Sequence, residues 1–179
     1  MRVILTLLIS TMLLFPGAAA DRAQVKSWQV CFSPHGGCTE AVVEALGKAR
    51  STVLVQAYSF TSAPIAKALV EAHRRGVKVE VVLDRSQQTE KYSSATFIYN
   101  NGIPCYIDAQ HAIAHNKVMV IDGLTVITGS FNFTEAAEDN NAENPLVIQD
   151  AQTAAKYEQN WQVHRQLPGV FHLRFPYLC

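Results

Sequence analysis

AHNKVMVIDGLTVITGSFNF, residues 114–133, is the most informative stretch of this chain. Two apolar, β-branched runs flank Asp122 and Gly123, and an Asp-Gly pair between such runs is the strongest short-range signal for a β-hairpin. With a two-residue loop, Ile121 faces Leu124, Lys117 faces Thr128 and His115 faces Ser130. Side chains alternate along a strand, and directly opposed residues share a face. This register therefore sets His115 and Lys117 beside Thr128 and Ser130, with Asn132 next in line. Asp122 lies an odd number of residues from both His115 and Lys117, so its expected task is structural, in the turn with Gly123. The same parity counts against a Ser-His-Asp triad. Both faces of the two runs carry Val, Met, Ile and Leu, the pattern of a buried central hairpin whose polar end is internally paired or functional.

The residue types at that end suit phosphoryl chemistry. Imidazole titrates near neutrality and serves as nucleophile or proton donor, while Lys and Asn donate to non-bridging phosphate oxygens. A lysine beside the histidine repels a divalent cation, so no metal or other cofactor is expected there. For either residue alone, a hydrogen-bonded core histidine or a snorkelling surface lysine is the commoner explanation. His115, Lys117, Ser130 and Asn132 together favour function.

Outward from the hairpin, apolar segments bounded by turn residues predict strands near 28–32, 52–58, 77–83, 103–107, 116–121, 124–129 and 144–149. Helical patterns cover 39–49, capped by Thr39; 63–75, with Ser62 before it and Pro64 in its first turn; 88–99; and 151–165, capped by Asp150. Strands alternating with helices imply an α/β domain, a mixed and largely buried β-sheet with helices packed on both faces. The segment after Pro168 reads as a packed tail or a short edge strand.

Residues 1–20 have the layout of a cleaved signal peptide: Arg2, an apolar run from Val3 to Phe15, Pro16-Gly17, then three alanines. The run is short for a membrane span. A periplasmic or secreted protein without stable membrane association is expected, with residues 21–179 as a single domain. Without residues 1–20 the chain has 159 residues, and 14 Lys and Arg against 15 Asp and Glu. That balance gives no global attraction to a polyanion, so nucleic acid must be met by local patches or by the reacting phosphate. Candidate patches are Lys48 with Arg50, Arg74 with Arg75 and Lys78, and Arg165. Export makes disulfides plausible among Cys31, Cys38, Cys105 and Cys179. A Cys31–Cys38 bridge across the Ser33–Gly37 turn is favoured over a zinc site of the same pair with His35.

His115, Lys117, Asp122, Gly129, Ser130 and Asn132 spell H-x-K-x4-D-x6-G-S-x-N, which resembles the signature of the phospholipase D superfamily. QAYSFTS at 56–62 and GVKVEVVLDRSQ at 76–87 are similar to its small bacterial secreted nuclease branch, and the likeness covers essentially the whole chain after residue 20. The resemblance implies a phospholipase D-like sandwich and a phosphodiesterase in which His115 attacks phosphorus to form a phosphohistidine. Lys117 and Asn132 would hold the non-bridging oxygens, with Ser130 in support, and Glu143 would orient the imidazole. A second histidine must protonate the leaving oxygen, yet the signature occurs once. A symmetric homodimer sharing one site supplies it, with His111 as the alternative within the chain. DNA is the expected substrate, with RNA open as a second. The rival readings are a lipid phosphodiesterase or transphosphatidylase, and a non-catalytic phosphate- or nucleic-acid-binding module.

Overall fold

The computed structural model describes residues 27–90 and 93–173; the expected leader and Cys179 lie outside the described residues. One sheet runs in the order β1-β7-β6-β5-β2-β3-β4-β8. Its strands are β1 (Ser27–Val30), β2 (Thr52–Ala57), β3 (Lys78–Asp84), β4 (Cys105–Asp108), β5 (Lys117–Ile121), β6 (Thr125–Gly129), β7 (Pro145–Gln149) and β8 (Val170–His172). β2, β3 and β4 are parallel to one another, and every other neighbouring pair is antiparallel. Of the described residues after Pro168, Val170–His172 forms a short edge strand on β4.

Both faces of the central strands are covered, which explains their unbroken apolar runs. Val53, Val55, Ala57, Met119 and Ile121 join a large core with α1 (Cys38–Lys48), α2 (Ala63–Arg74) and α3 (Ala95–Asn100). Leu54, Val82, Val118, Val120 and Val126 point the other way, to Ala154 and Trp161 of α5 (Ala151–Arg165). The Trp161 indole N–H donates to the Val55 carbonyl at 2.9 Å, fastening α5 to the middle of the sheet.

Local signals set two helix starts. Ser62 accepts from the Ile65 N–H at 3.5 Å, and Asp150 accepts from the Thr153 N–H at 3.0 Å. Thr39 is not a cap: α1 starts one residue earlier, after Gly37 at φ 75°. Its free amides at Gly37 and Thr39 donate to the Glu138 carboxylate at 3.1 and 2.6 Å, a cap supplied from a distant segment. The helix expected at 88–99 is broken into a 3₁₀ turn, Arg85–Gln88, and α3. The Gln87 amide oxygen between them accepts from the Phe60 N–H and the Ser93 hydroxyl. Cys31 and Cys38 stand as buried thiols rather than the expected disulfide, hydrogen bonded to each other. Burial, with the Glu138 charge behind it, pushes the Cys38 thiol up to about 12. His35 faces Asp139 at 3.7 Å instead of joining the two sulfurs.

The hairpin is offset by one residue from the two-residue register. Ile121 pairs with Thr125 and Val118 with Thr128, so the loop holds three residues. Asp122 and Gly123 are both left-handed, at φ 55° and 62°, and the Leu124 N–H closes on the Ile121 carbonyl at 3.0 Å. Leu124 is the extra residue because its carbonyl accepts from the Asp150 N–H at 3.0 Å instead of continuing the ladder. Thr128 therefore shares the face of Val118 and leaves the Lys117 side. The Asp122 carboxylate accepts from the Arg50, Ser51 and Thr52 N–H groups and the Ser51 hydroxyl, at 2.7 to 2.9 Å. Burial alone would raise this carboxyl, but the four donors outweigh it and hold it below its ordinary range. A depressed carboxylate stabilises above its unfolded value and loses that contribution as pH falls through its folded one. Asp122→Ala is accordingly expected to lose about 2 to 4 kcal/mol in urea unfolding at pH 7. The gap to wild type should narrow below pH 4, and a gap independent of pH would contradict this role.

Candidate active site

The carboxyl ends of β2 and β6 and the amino ends of β5 and β7 meet at one end of the sheet, with Ala57 paired to Lys117 and Gly129 to Pro145. His115 lies just before β5 and is exposed. Its ring packs on Tyr58, which follows β2, with centroids 4.5 Å apart and planes at 58°. The Tyr58 N–H donates to the Asn116 carbonyl at 2.8 Å, joining the two strand ends beneath the rings. Upstream, the buried Asp84 carboxylate accepts from the Ala114 N–H at 2.8 Å and anchors the loop that delivers His115.

Lys117 is the unusual member, an ammonium on a side chain only 6% exposed. Among the described residues, its Nζ makes one hydrogen bond, to the His115 carbonyl at 3.0 Å, and lies 5.0 Å from the Tyr58 ring centre. An ammonium has three donors, so two remain for an incoming acceptor. Burial lowers the Lys117 ammonium from its ordinary value, and the negative charge of Glu143 partly opposes the shift.

The β6 ladder breaks at Gly129, and strand alternation does not carry past it. The Ser130 and Phe131 N–H groups both donate to the Asn144 carbonyl, at 3.0 and 3.3 Å. Asn132 donates its N–H to Glu143 Oε2 at 2.8 Å, while its buried amide Oδ1 has no hydrogen-bond partner among the described residues. A half-turn of that amide presents Nδ2 in the same place. Glu143 Oε1 accepts from the Asn141 amide at 2.8 Å. Among the described residues no hydrogen bond joins Glu143 to His115, so here Glu143 supports Asn132 instead of orienting the imidazole. Ser130 exchanges hydrogen bonds with Asn144, accepting from its N–H at 3.0 Å and donating to its Oδ1 at 3.2 Å. The hydroxyl thus braces the β6–β7 connection. His111 lies on the loop before β5, its imidazole held by Asp108.

Gly129 cannot be replaced cheaply. It sits at φ 151°, and a Cβ there would lie 2.1 Å from the Asn144 carbonyl oxygen. Gly129→Ala is expected to destabilise by about 2 to 4 kcal/mol, combining backbone strain with overpacking. An unchanged Tm would contradict it. The basic patches are engaged locally: Lys48 with Glu44, Lys78 with Glu80, Arg74 with Asn101, and Arg165 over the Tyr106 ring. Tyr58 and Asp84 escaped sequence reading, because a lone tyrosine or aspartate at a strand end carries no spacing signal.

A mixed α/β sheet that presents an exposed imidazole, a buried ammonium and an unsatisfied amide at one end defines a class of phosphate-directed domain. Residues 42–164 match the family model described as cardiolipin synthase, PLD-like domain. A protein named phospholipase D from Rickettsia typhi is 47% identical over 131 residues, covering 73% of this chain and 64% of that protein. A mitochondrial cardiolipin hydrolase from Xenopus laevis is 31% identical over 134 residues, covering 74% of this chain and 63% of that protein. The chain spans slightly less than two thirds of these two curated relatives. The solved structure of Nuc from Salmonella typhimurium, described as a phospholipase D family member, superposes with TM-score 0.79 at 40% identity. That match covers 84% of this chain and 99% of Nuc. This chain belongs to the phospholipase D superfamily.

Proposed function

We propose that this protein is an exported phosphodiesterase that cleaves nucleic acid, DNA foremost, by covalent catalysis at His115. The observation that carries the reading is the buried Lys117 ammonium, which among the described residues spends one of its three donors, on the His115 carbonyl, and shares the Tyr58 ring with the exposed His115 imidazole. A phosphodiester bound there would set non-bridging oxygens against Lys117 and the Asn132 amide. The His115 imidazole then attacks phosphorus, a P–N bond forms and the P–O bond to the leaving alcohol breaks. A proton from a second imidazole goes to that oxygen. Water, deprotonated by the same second imidazole, attacks the phosphohistidine, breaks the P–N bond and releases the phosphomonoester.

The second imidazole is assigned to His115 of another copy in a symmetric dimer. His111 is a poor alternative, because its ring is already bonded to a buried carboxylate. The reading requires no metal, since the ammonium supplies the positive charge a cation would otherwise bring.

Nucleic acid is preferred to lipid because residues 56–62 and 76–87 resemble the small secreted nuclease branch of the superfamily, and because the curated phospholipase D is matched over only 64% of its length. The names of the curated relatives favour the lipid alternative, and a direct comparison separates the two. In excess EDTA, the purified protein is expected to nick and degrade plasmid DNA while leaving phosphatidylcholine and cardiolipin vesicles intact. Cleavage that needs added magnesium or calcium would overturn the mechanism. Lipid hydrolysis without DNA cleavage would overturn the substrate.

A further inference from the structure

Three potential ligands converge where the end of β4 and the loop after it meet the last turn of α5. Asp108, at the end of β4, is fully buried. Its Oδ2 meets His111 Nδ1 at 2.8 Å and His164 Nδ1 at 3.3 Å. The two imidazoles stack with centroids 4.8 Å apart and planes at 22°. His111 belongs to the loop leading to His115, and His164 to the last turn of α5. One nitrogen or oxygen from each of the three lies within 4.8 Å of the others.

We infer that Asp108, His111 and His164 form a binding site for a divalent transition-metal ion of the zinc class. The donor set is two imidazoles and one carboxylate, a set characteristic of zinc sites that keep a fourth position open. Tetrahedral zinc with bonds of about 2.0 to 2.2 Å sets its ligand atoms roughly 3.3 to 3.6 Å apart. The two contacts at Oδ2, 2.8 and 3.3 Å, lie at or below that separation, and all three ligand atoms lie within 4.8 Å of one another. Each imidazole would coordinate through Nδ1 as its Nε2–H tautomer.

The carboxylate is already oriented from behind. Its Oδ1 accepts from the Gln110 and His111 N–H groups at 3.0 and 3.1 Å, the outer bonding that ligating carboxylates characteristically have. The side chains grade from fully buried Asp108 through His164, 17% exposed, to His111, 43% exposed, which leaves the mouth of the site to solvent. A bound ion would tie β4, α5 and the loop before His115 together. It would take no part in hydrolysis, which is assigned to the separate metal-free centre.

The test is calorimetric titration of EDTA-stripped, desalted protein with zinc chloride, with thermal melts alongside. One zinc per chain is expected, with Tm raised by about 5 to 10 °C at a hundredfold excess over Kd. His111→Ala and His164→Ala should each weaken binding by at least about 10²-fold, since losing a ligand costs no less than losing its outer partner. Both should also abolish the rise in Tm. His115→Asn and Cys38→Ser should bind as wild type, and cobalt in place of zinc should give no thiolate charge-transfer band. His111 is partly exposed, so H111A tests the site with the least risk to folding. No binding by wild type, undiminished binding in both H111A and H164A, or loss of binding in H115N or C38S would overturn the assignment. DNA cleavage in excess EDTA is read separately, so this site and the catalytic reading fail independently.

Discussion

His115→Asn is expected to keep the fold and to lose at least about 10⁴-fold in turnover, as when a covalent nucleophile is removed. The imidazole is exposed and, among the described residues, its one ring contact is Tyr58, so its removal should move stability by no more than about 0.5 kcal/mol. Separating the two effects is what makes the variant informative. Wild type denatured in alkaline detergent during turnover of a slowly released substrate should carry phosphorus on one histidine-containing peptide, and H115N should carry none. Labelling of a different residue would reassign the nucleophile. The same variant probes the shared site. If every active centre needs His115 from both copies, equilibrating equal amounts of wild type and H115N should leave about a quarter of the activity of an all-wild-type sample. One half would mean that each chain works alone.

Lys117→Met should lose about 10² to 10³-fold in kcat, the scale of deleting one preorganised donor to a developing charge. Methionine preserves length and apolar volume, so no cavity confuses the result. Because the fold holds this ammonium against the pull of desolvation, K117M should be at least as stable as wild type. A guanidinium is wider and planar, so Lys117→Arg should not restore activity. The pH dependence has a definite sign. The protonated ammonium is the active form, and burial lowers its titration from the ordinary lysine range. Activity should therefore fall on the alkaline side at a lower pH than a solvated lysine would allow, and K117M should lack that limb. An identical alkaline limb in K117M would assign it to another group. Asn132→Ala is expected to lose about 10²-fold on the same reasoning.

Reading the chain from its residues located the architecture well. Strands buried on both faces leave unbroken Val, Ile and Leu runs, and punctuation such as Ser62-Ala63-Pro64 or Asp150 acts within a few residues of itself. The spacing of His115 and Lys117 suggested a shared strand face, but His115 lies just before β5, and what the two side chains have in common is the Tyr58 ring. The failures have a common cause. Thr128 was put beside Lys117 because the hairpin was given two loop residues, and the third arose from a bond between Leu124 and Asp150, a contact with another strand end. Thr39 looked like a cap, but Glu138 supplies that function across the fold. Glu143 was expected on His115 and is found on Asn132.

Residue order alone, then, settled the strands, most helices and the hairpin, because each depends on periodicity or on chemistry within a few positions. Folding in three dimensions settled the one-residue offset of that hairpin, the depth at which Lys117 is buried, the place of Tyr58 against His115, and the meeting of Asp108, His111 and His164. Hydrogen bonds and desolvation act through space, and partners dozens of residues apart leave no mark in local sequence.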